Sequence, residues 1–222
     1  MNILRIGHRG AAGHAPENTL AAIHKAIALR CDLVEVDVRR TRDERLILLH
    51  DEWVDRTTNG KGPIAQMSLK SVRQLNAGGG ERIPMLEEAL QTANHRIGLI
   101  LELKTTDMGQ ETIALVRRSR FRGPLLYASF LAEDMRIVRA AEPQAATMTL
   151  LDDLPHDPVA QVLNSKATHA GLRFDTATTP LVEALHAAGV QVFVYTVNAH
   201  ADIRRVRSLG VDGIISDFPD RI

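Results

Sequence analysis

The chain has 222 residues, of which 45% are hydrophobic and 24% are charged, proportions typical of globular proteins rather than disordered or membrane-spanning ones. Its 27 basic and 27 acidic side chains cancel without long blocks of either sign, which argues against broad attraction to nucleic acid or anionic lipid. Cys31 is the only cysteine, so an internal disulfide and a cysteine-rich zinc site are excluded. We expect one cytoplasmic domain over residues 1–222, without stable membrane insertion.

Short β-branched or leucine-rich runs alternate with helical patterns along the chain. The first run, NILRIG, precedes a predicted helix over residues 18–30, in which Leu20, Ile23 and Ile27 form an apolar stripe and Asn18 is the expected N-cap. LVEVDV follows, and IGLILELK, PLLYAS, AATMTLL, THAGLRF, VQVFVYTV and VDGIIS complete a set of eight strand candidates. Further helices are predicted over residues 111–118, 131–141, 180–188 and 201–209.

The stretch between LVEVDV and IGLILELK interrupts this alternation. RLILLHD is predicted as another strand, joined to its predecessor by the polar turn RRTRDE. Residues 52–84 are predicted as a small insertion after the second strand, with one short helix near residues 69–75. Long loops inside compact domains are often functional.

Apolar strands separated by amphipathic helices indicate a parallel sheet covered on both faces. Eight such units predict an α/β fold, a closed (β/α)8 barrel. An open doubly wound sheet is the competing architecture, but the Gly-x-Gly-x-x-Gly loop expected after its first strand is missing. In a barrel, the insertion at 52–84 belongs at the catalytic rim.

Acidic residues stand at the ends of two predicted strands. Strand side chains alternate between faces, so Glu35 and Asp37 share one face, as do Glu102 and Lys104. At the carboxyl ends of barrel strands the inward positions open into the active-site mouth, where these groups are expected to converge. Three carboxylates held so close repel one another, and a divalent cation bound through oxygen is the simplest neutralising partner.

A site without metal is the alternative for these acids. In that case they form ion pairs with Lys104, Arg39 or Arg5. The two pairs together, Glu35 with Asp37 and Glu102 with Lys104, stand at equivalent ends of successive barrel strands and favour a single metal ion. Mg²⁺ or Ca²⁺ suits an all-oxygen site, whereas Zn²⁺ is expected to recruit histidine.

Two histidines end apolar strands in the same manner. His8 is followed by Arg9, and His50 is followed by Asp51. A lone histidine is more often packed or solvated, but two at the rim of one barrel have a titration range suited to a general acid and a general base. The other seven histidines are interpreted as structural or solvated.

An anion is expected beside these groups. Arg9 offers a planar fork that matches a phosphate or a carboxylate, and Lys104 offers a compact positive charge. For Glu17, Asn18 and Thr19, the sequence leaves open both a structural capping role and a ligand contact.

Ordered motifs extend over nearly the whole chain. They are GHRG, PENT, VEVDV, HD, DRTTNGKG, IPMLEEAL, ELK, YTVN and GVDGIISDFPD. Each fragment is weak by itself, but the ordered set is very specific. Through this set the chain resembles the glycerophosphodiester phosphodiesterases of the bacterial, cytoplasmic type.

The resemblance implies a TIM barrel with one divalent metal ion, a histidine acid–base pair and two phosphate-binding cations. Members often have Trp at the position of Tyr195, which bears on the shape of the alcohol pocket and makes Tyr195 a predicted substrate-binding residue. The other matching residues are Glu35, Asp37 and Glu102 for the metal, His8 and His50 for catalysis, and Arg9 and Lys104 for the phosphate.

The implied reaction is the hydrolysis of glycerophosphodiesters, such as glycerophosphocholine or glycerophosphoethanolamine, to glycerol 3-phosphate and an alcohol. One alternative is a lysophospholipase D-type phosphodiesterase, which needs an apolar groove or a membrane-docking surface. The other is a module that binds phosphodiesters without catalysis. The expected partner is a small-molecule substrate rather than a nucleic acid, and the sequence leaves the oligomeric state open.

Overall fold

The computed structural model describes residues 3–222, and its sheet closes into a ring. The strands are β1 (Leu4–Gly7), β2 (Leu33–Arg40), β3 (Leu46–Leu48), β4 (Gly98–Leu103), β5 (Leu125–Ser129), β6 (Ala146–Leu151), β7 (His169–Arg173), β8 (Gln191–Tyr195) and β9 (Gly213–Ser216). β1 pairs in parallel with both β2 and β9, which closes eight strands into a barrel and leaves β3 outside it. The predicted closed (β/α)8 barrel is therefore confirmed.

Helices connect the barrel strands and cover their outer faces. They are α1 (Leu20–Ala28), α2 (Leu69–Val72), α3 (Leu86–Ala93), α4 (Gly109–Ser119), α5 (Ala132–Ala141), α6 (Pro158–Asn164), α7 (Thr179–Ala187) and α8 (His200–Ser208). None of the helices in the described part of the chain is long and apolar enough to cross a membrane.

Two of these helices were not predicted from the sequence pattern. α6 has only seven residues, too few for a repeated apolar stripe, and its signal is the pair Asp157 and Pro158 at the N-cap and first helical position. α3 follows the insertion directly, where Glu88 accepts a hydrogen bond from the Met85 backbone N–H and so fixes the first turn.

The inward face of the barrel changes character along each strand. Ile6, Ile100 and Phe193 belong to an apolar cluster inside the ring. On β2 and β4, positions of the same parity nearer the carboxyl end are Glu35, Asp37 and Glu102, while the alternate positions pack outward against helices. The floor of the barrel is therefore apolar, and its mouth is acidic on the side of β2 and β4.

Residues 45–85 form the largest excursion from the barrel. β3 pairs antiparallel with the upper half of β2, and the Leu49 backbone N–H donates to the Asp37 carbonyl at 3.0 Å. These contacts fix the segment that leads to His50 relative to β2. Beyond it, Ile47, Val54 and Ile83 belong to a small buried cluster of the excursion itself. The short helix predicted near residues 69–75 is found as α2.

The first helix begins differently from its prediction. Thr19, rather than Asn18, is the N-cap, and its hydroxyl accepts a hydrogen bond from the Ala22 backbone N–H at 3.2 Å. Asn18 has a φ of 56° and is turned toward the barrel instead.

Candidate active site

Three carboxylates meet at the carboxyl ends of β2 and β4. Asp37 and Glu102 are paired residues in the parallel register, and Glu35 lies one inward position below Asp37. One ligand atom from each residue lies within 4.8 Å of the others, and all three side chains are buried. The acids that strand parity singled out therefore share one small volume.

This acidic cluster fits a hard cation. Glu35 Oε1 and Asp37 Oδ1 are buried and have no hydrogen-bond partner in the described structure. Burial and the neighbouring carboxylates raise the pKa of Glu35 well above its ordinary value, and burial with Asp37 also raises the pKa of Glu102. Orphaned carboxylate oxygens with no sulfur or imidazole in their donor set match Mg²⁺ or Ca²⁺.

Two cations flank the cluster. Lys104 donates a hydrogen bond to Glu102 and lies 3.4 Å from Asp37 Oδ1. Arg9 Nε lies 3.3 Å from Asp37 Oδ2, and the Arg9 backbone N–H donates to Glu35 at 2.9 Å. Although burial alone raises the pKa of Asp37, Lys104 and Arg9 outweigh it and lower that pKa. Of the three cations that the metal-free alternative names, Lys104 therefore contacts the acids.

Arg39 and Arg5 do not pair with these acids. Arg5 donates to the carbonyls of Leu29 and Ile222, away from the mouth, and Arg39 donates to the carbonyl of His50. The alternative prediction that these two arginines form ion pairs with the acids in place of a metal is therefore wrong.

Asn18 holds the central acid in place. Its amide nitrogen donates to Asp37 Oδ2 at 2.7 Å, and its amide oxygen accepts from the Asp37 backbone N–H at 3.0 Å. This reciprocal pair fixes one carboxylate oxygen and leaves the other free for a ligand.

His8 stands at the end of β1 with its two ring nitrogens in different environments. Nδ1 is 2.7 Å from Asp217 Oδ1, while Nε2 is 3.9 Å from Glu35 Oε2. Asp217 also accepts a hydrogen bond from the Asn198 amide at 2.6 Å. Because a carboxylate can only accept, Nδ1 of His8 carries a proton, and Nε2 is directed toward the acids.

His50, which follows β3, has the same arrangement with a carboxylate of its own. Its Nδ1 is 2.6 Å from Asp51 Oδ1, and its backbone carbonyl accepts from Arg39 Nε at 2.8 Å. Burial lowers the pKa of His50, which favours the neutral ring near neutral pH. Both histidines thus have a carboxylate that fixes the tautomer and orientation of the imidazole.

Arg56, from the insertion, connects the two sides of the mouth. It donates two hydrogen bonds to Asp51 and two to Glu17, and Glu17 also accepts from Arg9 at 2.8 Å. Sequence reasoning missed Arg56, Asp217 and Asn198 as site residues, although all three lie in the quoted motifs. Glu17, left open above, joins this network and does not cap the helix.

An apolar wall faces the acids across a narrow cavity. Tyr195 lines it, and its ring lies edge-on to Phe130 with centroids 6.2 Å apart. The Tyr195 hydroxyl is buried without a hydrogen-bond partner in the described structure, and burial raises its pKa. The ring centroid of Phe130, a residue that the sequence did not indicate, lies 5.8 Å from Lys104 Nζ. The remaining apolar residues of this wall are Ala128, Met148, Leu150 and Ile215.

Carboxylates, cations and two oriented imidazoles at the mouth of a parallel barrel define an enzyme of the TIM-barrel class. Comparison with known proteins gives its family: the model of the glycerophosphoryl diester phosphodiesterase family matches residues 8–221. The chain belongs to this family, and the resemblance noted in its motifs is confirmed.

Individual relatives agree along the full length. A glycerophosphodiester phosphodiesterase of Caldanaerobacter subterraneus subsp. tengcongensis is 32% identical, with 100% of this chain and 97% of that protein covered. A phosphodiesterase of Oleispira antarctica, solved in complex with the product sn-glycerol-3-phosphate, superposes with a TM-score of 0.91 at 30% identity, covering 98% of this chain and 94% of that one. A glycerophosphodiester phosphodiesterase of Agrobacterium tumefaciens gives a TM-score of 0.87 at 32% identity, covering 99% and 98%.

Proposed function

We propose that the protein hydrolyses glycerophosphodiesters to sn-glycerol 3-phosphate and an alcohol, using one divalent cation and the acid–base pair His8 and His50. The observation that carries this proposal is the buried acidic cluster together with two imidazoles that are each oriented by a carboxylate. The product bound by the Oleispira antarctica relative supports the substrate class.

Glu35, Asp37 and Glu102 would hold the cation, because their free oxygens form an all-oxygen donor set. When bound, a divalent ion supplies Lewis-acid polarisation of a phosphoryl oxygen and neutralises developing charge. Mg²⁺ and Ca²⁺ are the candidates. Lys104 and Arg9 add positive charge on two sides of the same volume, which suits the non-bridging oxygens of a phosphodiester.

The histidines divide the proton transfers. His50, whose pKa is lowered by burial, removes the proton from the attacking 2-hydroxyl of the glycerol. This oxygen bonds to phosphorus as the bond from phosphorus to the alcohol oxygen breaks, and His8, which carries a proton on both ring nitrogens at this step, donates the Nε2 proton to the departing oxygen. Water then opens the cyclic phosphate with the two proton transfers reversed, which gives glycerol 3-phosphate. Asp51 and Asp217 keep the two rings oriented during these transfers. Tyr195 and Phe130 form the apolar side of the substrate pocket and exclude water from it.

The direct test is release of glycerol 3-phosphate from glycerophosphocholine and glycerophosphoethanolamine, measured after EDTA treatment and after re-addition of Mg²⁺ or Ca²⁺. We expect EDTA to abolish release and one of the two ions to restore it. Full activity in EDTA contradicts the metal, and binding without release supports the non-catalytic module. Turnover of lysophosphatidylcholine in preference to both diesters supports the lysophospholipase D alternative.

A further inference from the structure

The two aspartates that orient the imidazoles differ in what holds their other carboxylate oxygen. In Asp51, that oxygen accepts a hydrogen bond from the Arg56 guanidinium at 2.6 Å. In Asp217, it accepts one from the neutral amide of Asn198, also at 2.6 Å. The carboxylate that orients His8, the proposed proton donor, is therefore itself held by an uncharged side chain.

The fold brings Asn198 to Asp217 although 19 positions separate them in the sequence. Asn198 lies just beyond the carboxyl end of β8, and Asp217 directly follows β9. β8 and β9 are neighbouring parallel strands, and past the end of β8 the Val197 backbone N–H donates to the Ile215 carbonyl at 2.9 Å. The two residues therefore meet at the same end of the barrel as the acidic cluster.

The Asn198 amide holds both the backbone and the side chain of Asp217. Its oxygen accepts from the Asp217 backbone N–H at 2.9 Å and from the Ser216 hydroxyl at 3.0 Å, while its nitrogen donates to Asp217 Oδ2. A backbone N–H can only donate and a carboxylate can only accept, so these partners fix which end of the amide faces which group. The amide therefore restrains Asp217 at two points.

Arg221 restrains Asn198 in turn. Its Nη1 donates to the Asn198 carbonyl at 2.9 Å, and its guanidinium carbon lies 3.8 Å from the ring centroid of Phe218. Among the described residues, those that line the narrow apolar cavity include His8 but not Asn198. Any effect of Asn198 on the reaction therefore passes through its contacts with Asp217.

The His8 ring depends on Asp217 for its orientation. The bond between His8 Nδ1 and Asp217 Oδ1, at 2.7 Å, is the ring's only hydrogen bond within residues 3–222. The His8 backbone N–H donates to the Ser216 carbonyl at 2.9 Å, but this contact fixes the main chain and not the ring. The terminal bond of a carboxylate side chain rotates readily. If Asp217 turned, the imidazole would lose its support and Nε2 would lose its direction toward the acids.

We propose that Asn198 is a positioning residue for the proton donor: it holds the Asp217 carboxylate so that His8 Nε2 stays aimed at the departing alcohol oxygen. The proposal rests on the proposed function, in which His8 protonates that oxygen. A residue that only stabilises the fold would slow every substrate alike when it is replaced. Loss of the aimed proton slows only those esters whose alcohol must be protonated as it departs.

Asn198→Asp tests this role with little change of shape. The new oxygen repels Asp217 Oδ2 where an N–H donated before, while the other oxygen keeps its acceptor role. We expect kcat/KM for glycerophosphoethanolamine to fall about 10–100-fold, the range for removing a partner that orients a functional side chain. For the p-nitrophenyl ester of glycerol 3-phosphate, kcat/KM measured by p-nitrophenol release should fall less than about threefold, because this leaving group departs without protonation.

Two further variants complete the comparison of the two esters. Asn198→Ala removes the donor without adding a charge, so it should show the same difference between the esters with a smaller loss. Asn164→Asp adds the same charge at an exposed position of α6 and should resemble the wild type. Equal losses for both esters in Asn198→Asp and Asn198→Ala, or no loss for either ester, overturn the positioning role.

The wild type separates failure of this inference from failure of the proposed function. If it hydrolyses neither ester, the proposed reaction is wrong, and proton NMR of the resting protein then decides whether Asn198 orients the His8 ring. The hydrogen-bonded Nδ1–H of His8 is expected as a downfield imidazole signal that is absent from His8→Ala. Loss of this signal in Asn198→Asp, with its retention in Asn164→Asp, supports the role of Asn198, and an unchanged signal in Asn198→Asp overturns it.

Discussion

The two walls of the barrel mouth lie at the same height but differ in chemistry. The charged wall comes from β1, β2 and β4 and includes the acidic cluster, whereas the apolar wall comes from β5, β6, β8 and β9 with Phe130. In the strand register, Glu102 of β4 pairs with Ala128 of β5, which pairs with Met148 of β6. The change from carboxylate to hydrocarbon therefore occurs between two adjacent strands.

The charged wall and the apolar wall have complementary effects on the cavity between them. Burial and the neighbouring carboxylates penalise the charge of Glu35, whose Oε1 has no hydrogen-bond partner in the described structure, so ionised Glu35 destabilises the fold in the absence of a ligand. The apolar wall excludes water and lowers the local dielectric, which strengthens every charge interaction across the cavity. Substitutions on the charged wall should therefore remove activity, and those on the apolar wall should adjust affinity.

The largest effect is expected for Glu35→Gln. Turnover and calorimetric Mg²⁺ binding should both be lost, while the melting temperature in EDTA should rise because a neutral amide removes the cost of a buried charge. Glu183→Gln, at an exposed position of α7, is the control and should change none of these quantities. Wild-type turnover of the Glu35→Gln protein would show that Glu35 does not bind the cation.

His8→Ala and His50→Ala should each lower kcat/KM by about 10²–10⁴-fold, the range for a general acid or base. With a p-nitrophenyl leaving group, which departs without protonation, His8→Ala should lose much less than His50→Ala. His156→Ala, at an exposed position, is the matched control. If the p-nitrophenyl ester rescues His50→Ala instead, the two roles are exchanged.

Arg56→Gln tests whether the two sides of the charged wall are linked. Loss of its bonds to Asp51 and Glu17 should reduce kcat about tenfold with little change in KM, since Arg56 acts through the groups that orient His50 and Arg9. Arg56→Lys, which keeps the charge without the planar fork, should recover part of the loss. An unchanged kcat in Arg56→Gln would show that the link is only structural.

The Arg56→Gln substitution should also change how the unfolding free energy depends on pH. Hydrogen bonds from Arg56 lower the pKa of Asp51 below its ordinary value of 3.8, so this contribution is present above pH 3.8 and is lost as the pH falls through the folded-state pKa. The difference in unfolding free energy between wild type and Arg56→Gln should be roughly 1 kcal/mol or less near pH 7 and should become smaller, without vanishing, at pH 3. Urea unfolding at pH 7 and pH 3 measures it, and a difference that grows in acid contradicts the sign.

The smallest effect is expected on the apolar wall, for Tyr195→Phe. Removing a buried hydroxyl without a partner should raise the unfolding free energy by about 1 kcal/mol, while KM should rise severalfold because the proposed substrate-binding hydroxyl is lost. Tyr127→Phe is the control, since that hydroxyl is also buried without a partner but lies outside the mouth. An unchanged KM in Tyr195→Phe would show that the Tyr195 hydroxyl does not contribute to substrate binding.

The alternation of side chains along strands explains what the sequence could predict. Glu35, Asp37 and Glu102 follow from a period of two and from their place at strand ends, both of which are local properties. Their partners depend on tertiary contacts: Asp217 reaches His8 across 209 positions of sequence, and Arg56 reaches Glu17 across 39. Such pairs carry no periodic signal.

The errors at the first helix have a similar origin. Asn18 is as good an N-cap as Thr19 by residue type, and only its reciprocal hydrogen bonds with Asp37 draw it away from the helix. The apolar wall was also outside the reach of sequence analysis, because Phe130 lies in a loop and its neighbourhood is set by barrel closure.

The long second strand has a further consequence for how such chains can diverge. Its lower half belongs to the ring, and its upper half anchors the β3 hairpin through contacts that include the bond from Leu49 to Asp37. The spacing between His50 and the acids is therefore set at the start of the excursion. Exposed positions of the excursion past Arg56 that do not pair with β3 can be exchanged without disturbing that spacing, so the surface beside the mouth can diverge while the geometry of His50 and the acids is inherited.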